Sequence, residues 1–449
     1  MEKIDLTGFI QNARFNRFHL KLALVGFVLI VCDGYDVAVY GTITPSLMAA
    51  WNMPAVEAGA IGSVGLVGML VGAISFGTLA DRMGRRRVIL ITVILYSVFT
   101  ALCGFAQEPT FFTVCRFLAG LGLGGVMPNV IALLTDFSPK KHTATIVTVV
   151  LCGFAVGGLL APVLGIFVLP TLGWQVSLWL AAVPLLLLPF MYRAVPESFA
   201  VLLRKGRRDA VFATLRRIDP SRHLDDRSEL VTEARSDAKL PLTDLFTDHR
   251  GRSTLMFWLA FFANLLVSYG FLNWLPKLMM DSGFTLTSSL VFLGVFQIGG
   301  ILGTLTAGRM ADKVGARKIL LAMYLTGTVV IAGVGISTNA PVTYVLIGCA
   351  GAILTGVQNL VQVYVAQYYP PFVRSTALGS ASGVGRMGGI LGPIIGGVLL
   401  SLSFTNQTIF FVFAIPGLVA AFAIAMVREN RSYQRQSAQR DEPAPAVAA

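Results

Sequence analysis

Charge is scarce in this sequence. Only 13% of its 449 residues are Asp, Glu, Lys or Arg, whereas 55% are hydrophobic. This composition is too apolar for a soluble globular protein, so it excludes that class and indicates an integral membrane protein. A regular alternation of apolar and polar residues is also missing, which argues against a transmembrane β-barrel.

Residues with redox or acid-base chemistry are also sparse. The five cysteines all lie within apolar runs and form no Cys-x-x-Cys spacing, so we expect buried packing residues without disulfides. Neither a nucleophile-base pair nor a metal-ligand cluster occurs in an apolar run or in the central loop, which argues against an enzyme and against a cofactor. The first residues lack a short apolar core with a cleavage site, so no signal peptide is predicted. The four histidines fall in polar segments, at His19, His142, His223 and His249.

Long apolar runs are what the chain has in abundance. A bilayer core about 30 Å thick requires about 20 apolar residues per helix. Runs of that length predict an all-α polytopic protein with twelve helices embedded in the lipid bilayer. They are predicted at residues 20–48, 57–80, 87–107, 110–135, 143–168, 173–193, 253–280, 286–310, 317–338, 341–368, 374–400 and 405–427.

The polar stretches divide the chain into segments. We predict an N-terminal segment at 1–19, a six-helix bundle at 20–193, a linker at 194–252, a second six-helix bundle at 253–427 and a disordered tail at 428–449. The net charge of +12 comes from Lys and Arg at both ends and in alternate connections, with Lys277 as an exception. By the positive-inside rule, both termini are then cytoplasmic. This distribution explains the basic balance without a nucleic-acid partner.

The two halves are related to each other in sequence at one fixed offset, the spacing that separates Pro45 from Pro276. The same spacing holds without a gap as far as Gly165 and its match Gly396, which indicates that the halves fold alike as pseudo-repeats. Parallel repeats place a substrate site at the interface between the halves. Further matching pairs include Gly77 and Gly308, Asp81 and Asp312, Gly84 and Gly315, Arg86 and Arg317, and Pro162 and Pro393.

Two carboxylates interrupt the first apolar run, in the sequence Asp33-Gly34-Tyr35-Asp36. A charge at the centre of a spanning helix costs about 2.5 to 3.5 kcal/mol, and a spacing of three residues puts both carboxylates on one helix face. Since no Glu or His lies deep in a run, Asp33 and Asp36 are the candidates for binding and releasing a proton within the membrane. The alternative is a structural pair satisfied by tyrosine hydroxyls and helix termini.

A motif after the second run resembles a known superfamily. Residues Gly77 to Arg86 match the G-x-x-x-D-R-x-G-R-R signature of the major facilitator superfamily, and a degenerate copy lies at Gly308 to Arg317. The resemblance implies the major facilitator fold and a gating role for this motif, whereas membrane anchoring would explain the arginines alone. The gating residues are Gly77, Asp81, Arg82, Gly84, Arg85 and Arg86, with Asp312 and Arg317 in the copy.

Within that superfamily, the Asp33 to Asp36 run with Tyr40 and Pro45 resembles the first helix of the aromatic acid:proton symporters. The stretch Arg116 to Asn129 is similar to their benzoate transporters. The resemblance implies import of protons and a small aromatic carboxylate, such as benzoate, across the bacterial inner membrane by alternating access, and we predict a monomer. A proton-driven drug or metabolite exporter of the same fold is the alternative. Ring substituents are not fixed by family.

Two arginines lie well inside apolar runs, where each is costly unless it is paired. A guanidinium can hold a carboxylate through two hydrogen bonds. Arg386 is the first candidate for the substrate carboxylate, because Arg116 could instead form a structural pair with Asp33 or Asp36. Other candidates could line a ring-binding pocket or simply form interhelical hydrogen bonds, namely Tyr40, Asn264, Asn273, Trp274 and Gln358.

Overall fold

The computed structural model describes residues 3–220, 229–231, 242–247, 250–370 and 373–432. Within these ranges, twelve helices are long and apolar enough to cross a membrane, which confirms the predicted number of spans. The predicted tail beyond residue 432 lies outside the described residues. So does much of the predicted linker, including His223 and His249.

The first six spans follow a short strand and a short helix, β1 (Lys3–Asp5) and α1 (Leu6–Gln11). The sixth span consists of two helices joined by a 3₁₀ turn at Leu180–Ala182. The spans are α2 (Arg17–Trp51), α3 (Ala55–Met83), α4 (Arg85–Cys103), α5 (Pro109–Phe137), α6 (Thr143–Leu172), and α7 (Trp174–Trp179) with α8 (Val183–Ala194).

The linker that follows contains α9 (Phe199–Arg204), α10 (Arg208–Ile218), β2 (Glu229–Val231) and a 3₁₀ turn at Leu242–Phe246. Strand β2 pairs with β1 in parallel. The remaining spans are α11 (Gly251–Asp281), α12 (Leu286–Val314), α13 (Ala316–Ile336), α14 (Ala340–Tyr368), α15 (Arg374–Ser401) and α16 (Asn406–Met426), with a 3₁₀ turn at Glu429–Arg431 after them.

The sequence repeat is also a repeat of helix boundaries. Four helices of the first half begin one repeat offset before their counterparts, at Ala55, Arg85, Pro109 and Thr143, against Leu286, Ala316, Ala340 and Arg374. The glycine before α4 and the one before α13 share a left-handed backbone, with φ of 96° at Gly84 and 100° at Gly315. Because this conformation strains other residues, glycine is required at both turns.

The chain folds into two compact units, and the division between them falls inside α3. The first unit comprises Met1–Met53 and Val64–Ser236, and the second comprises Pro54–Ser63 and Asp237–Ala449. Within the second unit, the Ser63 hydroxyl donates a hydrogen bond to the carbonyl oxygen of Ile390 at 2.5 Å. The predicted boundaries, which keep residues 20–193 together, therefore differ from these units at the start of α3.

Each unit is built from closely packed helix pairs. In the first unit α2 packs on α6 and α4 packs on α5, and in the second unit α11 packs on α15 and α12 packs on α14. At the α2–α6 crossing, a Cβ atom added to Gly34 would collide with the carbonyl oxygen of Phe154. The glycine between the two aspartates thus lets the backbone of α6 come against α2.

Part of the predicted linker belongs to the core of the first unit. Apolar side chains of α1, α9 and α10 join one buried cluster with the adjoining ends of the spans, among them Leu6, Phe9, Phe212 and Leu215. The Asn16 amide also donates to the carbonyl oxygen of Ile218 at 2.9 Å, which ties the start of α2 to the end of α10. We call α1, α9 and α10 together the linker cap.

The α2–α6 crossing predicts that Gly34→Ala destabilises the protein by about 1 to 3 kcal/mol, because the added methyl group overpacks a backbone contact. Thermal unfolding of the purified protein in detergent measures the effect. Gly383→Ala is the matched control, since a Cβ atom at that position of α15 meets nothing within 4 Å. Equal midpoints for the two variants would contradict the assigned crossing.

Candidate functional site

The Asp33 to Asp36 run is held at the centre of the first unit by several different helices. Gly34 faces the backbone of α6. The Tyr35 hydroxyl donates to the carbonyl oxygen of Ser177 in α7 at 2.7 Å. Asp33 and Asp36 are both buried, with 2% and 0% of their surface exposed. The run therefore fixes the rotation of α2 as well as carrying its charges.

Asp36 receives two hydrogen bonds from neighbouring helices. The Thr100 hydroxyl of α4 donates to its Oδ1 at 2.7 Å, and Nη1 of Arg116 in α5 donates to its Oδ2 at 3.1 Å. Both partners are themselves buried. Of the two carboxylates that could pair with Arg116, the structure thus selects Asp36, and the pair is neutral in total when Asp36 is ionised.

The guanidinium of Arg116 is only partly used by this ion pair. Arg116 is 6% exposed, and its Nε has no hydrogen-bond partner among the described residues. The guanidinium carbon lies 5.3 Å from the centre of the Tyr40 ring. Because a guanidinium carries five N–H donors in a fork, this arrangement could bind a second carboxylate beside an aromatic face.

The second unit has an uncharged counterpart of Asp33. Asn264 stands at the matching position of the repeat, is 2% exposed, and donates from Nδ2 to Oε1 of Gln358 at 2.7 Å. Gln358 itself is half-buried. The two amides join α11 to α14, so both predicted residues take part in an interhelical hydrogen bond. Whether they also contact a substrate stays a prediction.

The charged cluster has no counterpart in the second unit. At the same repeat offset, Asp36, Thr100 and Arg116 correspond to apolar residues. These are Val267, Ile331 and Ile347, which are 1%, 2% and 0% exposed. The two units therefore share a helical framework while only the first one buries an ion pair at this position.

The remaining predicted binding residues lie on α11 and α15. Trp274 is fully buried, and its indole N–H donates to the carbonyl oxygen of Pro393 at 2.8 Å. This contact gives Trp274 a packing role between the two helices. Asn273 is 6% exposed and Arg386 is half-buried on α15. Substrate contacts for these three residues stay a prediction.

The predicted gating motif makes contacts within the first unit. Arg85 forms an ion pair with Asp136 at the end of α5 and donates to the carbonyl oxygen of Ala132 at 2.7 Å. The guanidinium of Arg86 lies 3.9 Å from the centre of the Tyr192 ring in α8. The Arg82 carbonyl oxygen accepts from Arg204 of α9. These contacts connect five helices, namely α3, α4, α5, α8 and α9.

The copy of the motif makes similar contacts within the second unit. Arg317 donates to the carbonyl oxygen of Ala425 at 2.6 Å and lies 3.6 Å from a carboxylate oxygen of Glu429. In this copy, Asp312 is exposed. In the first copy, a Cβ atom added at Gly77 would meet nothing within 4 Å. The Asp81 side chain lies outside the described part of the chain. A gating function for either copy stays a prediction.

Sequence reasoning missed Thr100 and Asp136. A hydroxyl residue inside an apolar run is too common to stand out, and Asp136 lies near the end of a span where charge is expected. Their importance follows from partners on other helices, which are Asp36 of α2 for Thr100 and Arg85 of α4 for Asp136. Among the described residues, no group of three His, Cys, Asp or Glu side chains is placed to hold a metal ion.

Comparisons with known proteins extend these observations. The sequence profile of the Major Facilitator Superfamily matches residues 26–357 and 293–449. The chain is 37% identical over 439 residues to the benzoate transport protein of Acinetobacter baylyi, covering 96% of this chain and 94% of that protein. It is 33% identical over 425 residues to the gallate transporter of Pseudomonas putida, covering 94% of each. The crystal structure of a D-xylose-proton symporter has the same fold, with a TM-score of 0.73 at 17% identity over 92% of this chain and 98% of that one.

The buried ion pair predicts strong coupling between its two residues. Arg116→Gln leaves the Asp36 carboxylate without its counterion and should cost about 3 to 5 kcal/mol of unfolding free energy. The double variant Asp36→Asn/Arg116→Gln should cost less than Arg116→Gln alone. Denaturant unfolding in mixed micelles measures the cycle. The exposed pair Lys277–Asp281 is the control, with an expected coupling of about 0 to 1 kcal/mol. Additive effects at Asp36 and Arg116 would contradict the pairing.

Proposed function

This chain belongs to the aromatic acid transporters of the Major Facilitator Superfamily, and on that basis we propose that it imports a benzoate-like carboxylate together with protons. It is a multi-pass membrane protein that transports its substrate and is not an enzyme. We further propose that it works as a monomer in the bacterial inner membrane, with both termini in the cytoplasm. The Lys and Arg residues at both ends of the chain and in alternate connections support this orientation.

The observation that supports proton coupling is the Asp36–Arg116 pair, with 0% and 6% exposure and a separation of 3.1 Å. While Asp36 is ionised, it neutralises Arg116. Once Asp36 takes up a proton, Arg116 becomes a buried cation without a counterion, which is unfavourable inside a membrane. A substrate carboxylate then replaces Asp36 as the partner of the guanidinium.

Charge balance explains why the proton and the anion would move together. The pair without substrate has one buried cation and one buried anion. The same site with a protonated Asp36 and a bound carboxylate also has one of each. Binding either partner alone leaves a net charge in a region where charge is costly, so each one favours the binding of the other. The Asp36–Arg116 site by itself therefore couples one proton to each carboxylate, and a proton carried on Asp33 would add to that number.

The neighbouring groups suit an aromatic substrate. The Tyr40 ring lies against the same guanidinium and offers an apolar face to a benzoate ring. We propose Arg386 as a further contact for the carboxylate, and the Asn264–Gln358 amides as partners for ring hydroxyls. Asp33, beside Asp36, is proposed as a second proton carrier. Gating is proposed for the Gly77 to Arg86 motif and its copy.

The coupling mechanism predicts that Asp36→Asn abolishes benzoate accumulation driven by an imposed pH gradient, because the variant cannot release a proton. Benzoate counterflow, which needs no net proton movement, should persist. Proteoliposomes loaded with labelled benzoate measure both processes, with Asp33→Asn tested alongside.

Asp281→Asn is the control, since that exposed carboxylate lies at the end of α11 and should leave accumulation unchanged. Undiminished accumulation by Asp36→Asn would contradict the proton role, and a sodium requirement in the unmodified protein would reassign the carboxylates to cation coordination. Stimulated efflux of benzoate from cells, in place of uptake, would instead favour an exporter.

A second test uses the pH dependence of binding. Benzoate affinity should rise about tenfold for each unit fall in pH wherever Asp36 is ionised, because each bound anion then takes up one proton. Affinity in Asp36→Asn should be independent of pH. Isothermal titration between pH 6 and 8 measures both, and a pH-independent affinity in the unmodified protein would contradict the mechanism.

The same titration separates the two arginines. Lysine cannot reproduce the guanidinium fork. At the arginine that binds the carboxylate, substitution by Lys should therefore weaken benzoate binding severely, and substitution by Ala should abolish it. If Arg386→Ala binds benzoate within about threefold of the unmodified protein, a change below about 1 kcal/mol, Arg116 alone is the carboxylate site.

A further inference from the structure

The linker cap presents a strongly basic surface. Between residues 204 and 218 there are six cations and a single acid, Asp209, and all seven side chains are exposed. We call these six cations the basic face. They are Arg204, Lys205, Arg207, Arg208, Arg216 and Arg217.

Three cations of the basic face, Arg208, Arg216 and Arg217, lie on α10, and the opposite side of that helix fixes them in place. Val211, Phe212, Leu215 and Ile218 of α10 are between 0% and 2% exposed, and they pack into the apolar cluster of the first unit. Burial of these side chains leaves α10 no freedom to turn its cations inward. The cations of α10 therefore have a fixed position, with the guanidinium of Arg217 over the ring of Phe18.

Three contacts set the level of the linker cap along the spans. Arg204 donates to the carbonyl oxygen of Arg82 near the end of α3. Asn16, just before α2, donates to Ile218 at 2.9 Å. The Phe199 ring lies 5.2 Å from the ring of Phe137 at the end of α5. Consecutive spans alternate in direction, so the start of α2 and the ends of α3 and α5 lie on the same side of the membrane. The linker cap contacts all three and therefore lies at the level of the lipid headgroups.

We propose that the basic face binds anionic phospholipid headgroups of the adjacent leaflet and thereby stabilises the first unit. Clusters of four to eight Lys and Arg residues on an amphipathic helix at this level attract acidic lipids. Five of the six cations are arginines, whose planar guanidinium suits the phosphate group. The level of the cap favours lipid over a nucleic acid or an acidic protein, which would approach from the aqueous phase.

The test uses the full-length protein in neutral detergent. Phosphatidylglycerol or phosphatidylcholine with the same acyl chains is titrated in, and the thermal unfolding midpoint is followed. Phosphatidylglycerol should raise the midpoint and phosphatidylcholine should not, and the effect should weaken as salt screens the charges. Lys205→Gln/Arg207→Gln should raise the half-saturating concentration of phosphatidylglycerol by about fivefold for each cation removed.

Two control variants keep the outcome interpretable. Lys205→Arg/Arg207→Lys preserves the charge and should titrate like the unmodified protein, which separates loss of charge from damage to the fold. Arg309→Gln/Lys313→Gln removes two exposed cations from the end of α12 and should also titrate normally. Equal stabilisation by both lipids, an equal loss in the α12 control, or stabilisation by a short RNA to the same extent would overturn the proposal.

Discussion

One ion pair organises the first unit of this protein. Asp36 and Arg116 lie on different helices in a region where neither charge could remain alone, because an unpaired ion there costs several kcal/mol. Thr100 adds a hydrogen bond from a third helix. The positions of α2, α4 and α5 relative to each other are therefore constrained by electrostatics as well as by apolar packing. Because the two side chains are so close, protonation of Asp36 would remove the counterion of Arg116.

The pseudo-repeat distributes this chemistry unequally. Helices α3 and α12, α4 and α13, α5 and α14, and α6 and α15 all begin at the same fixed offset, and the left-handed glycine recurs as well. Yet Asp36 and Arg116 correspond to Val267 and Ile347, which pack in an apolar interior. The helix boundaries are therefore symmetric, whereas the side chains at these positions are not. Only the position of Asp33 keeps a polar side chain in the second unit, where Asn264 offers an uncharged amide in place of the carboxylate.

Features that depend on local sequence pattern are predicted correctly. Features that depend on contacts between helices far apart in the sequence are not. Hydropathy predicts all twelve spans, and the motif residues and the offset predict the repeat. Both outcomes rest on periodicity along one chain. The choice of Asp36 over Asp33 as the partner of Arg116 depends on the rotation of α2 against α5. The sequence pattern does not determine that rotation. Thr100 is missed for the same reason, whereas the bond from Trp274 to Pro393 is an interhelical hydrogen bond of the kind that the sequence leaves open as the alternative. The sequence predicts α9 and α10 only as part of a linker at 194–252, because nothing in that segment shows which surface would bury the apolar side of α10.

The pairing of β1 with β2 joins residues 3–5 to residues 229–231, and this separation has a consequence for biosynthesis. A ribosome adds about 5 to 20 residues each second, so the start of the chain waits on the order of 10 to 45 s for its strand partner. The first six spans are complete before then, since α8 ends at Ala194. The apolar side chains of α1 belong to the same buried cluster as those of α10, which ends at Ile218 and is therefore also made late. The buried cluster of the linker cap can thus be completed only after the first six membrane-spanning segments have been made.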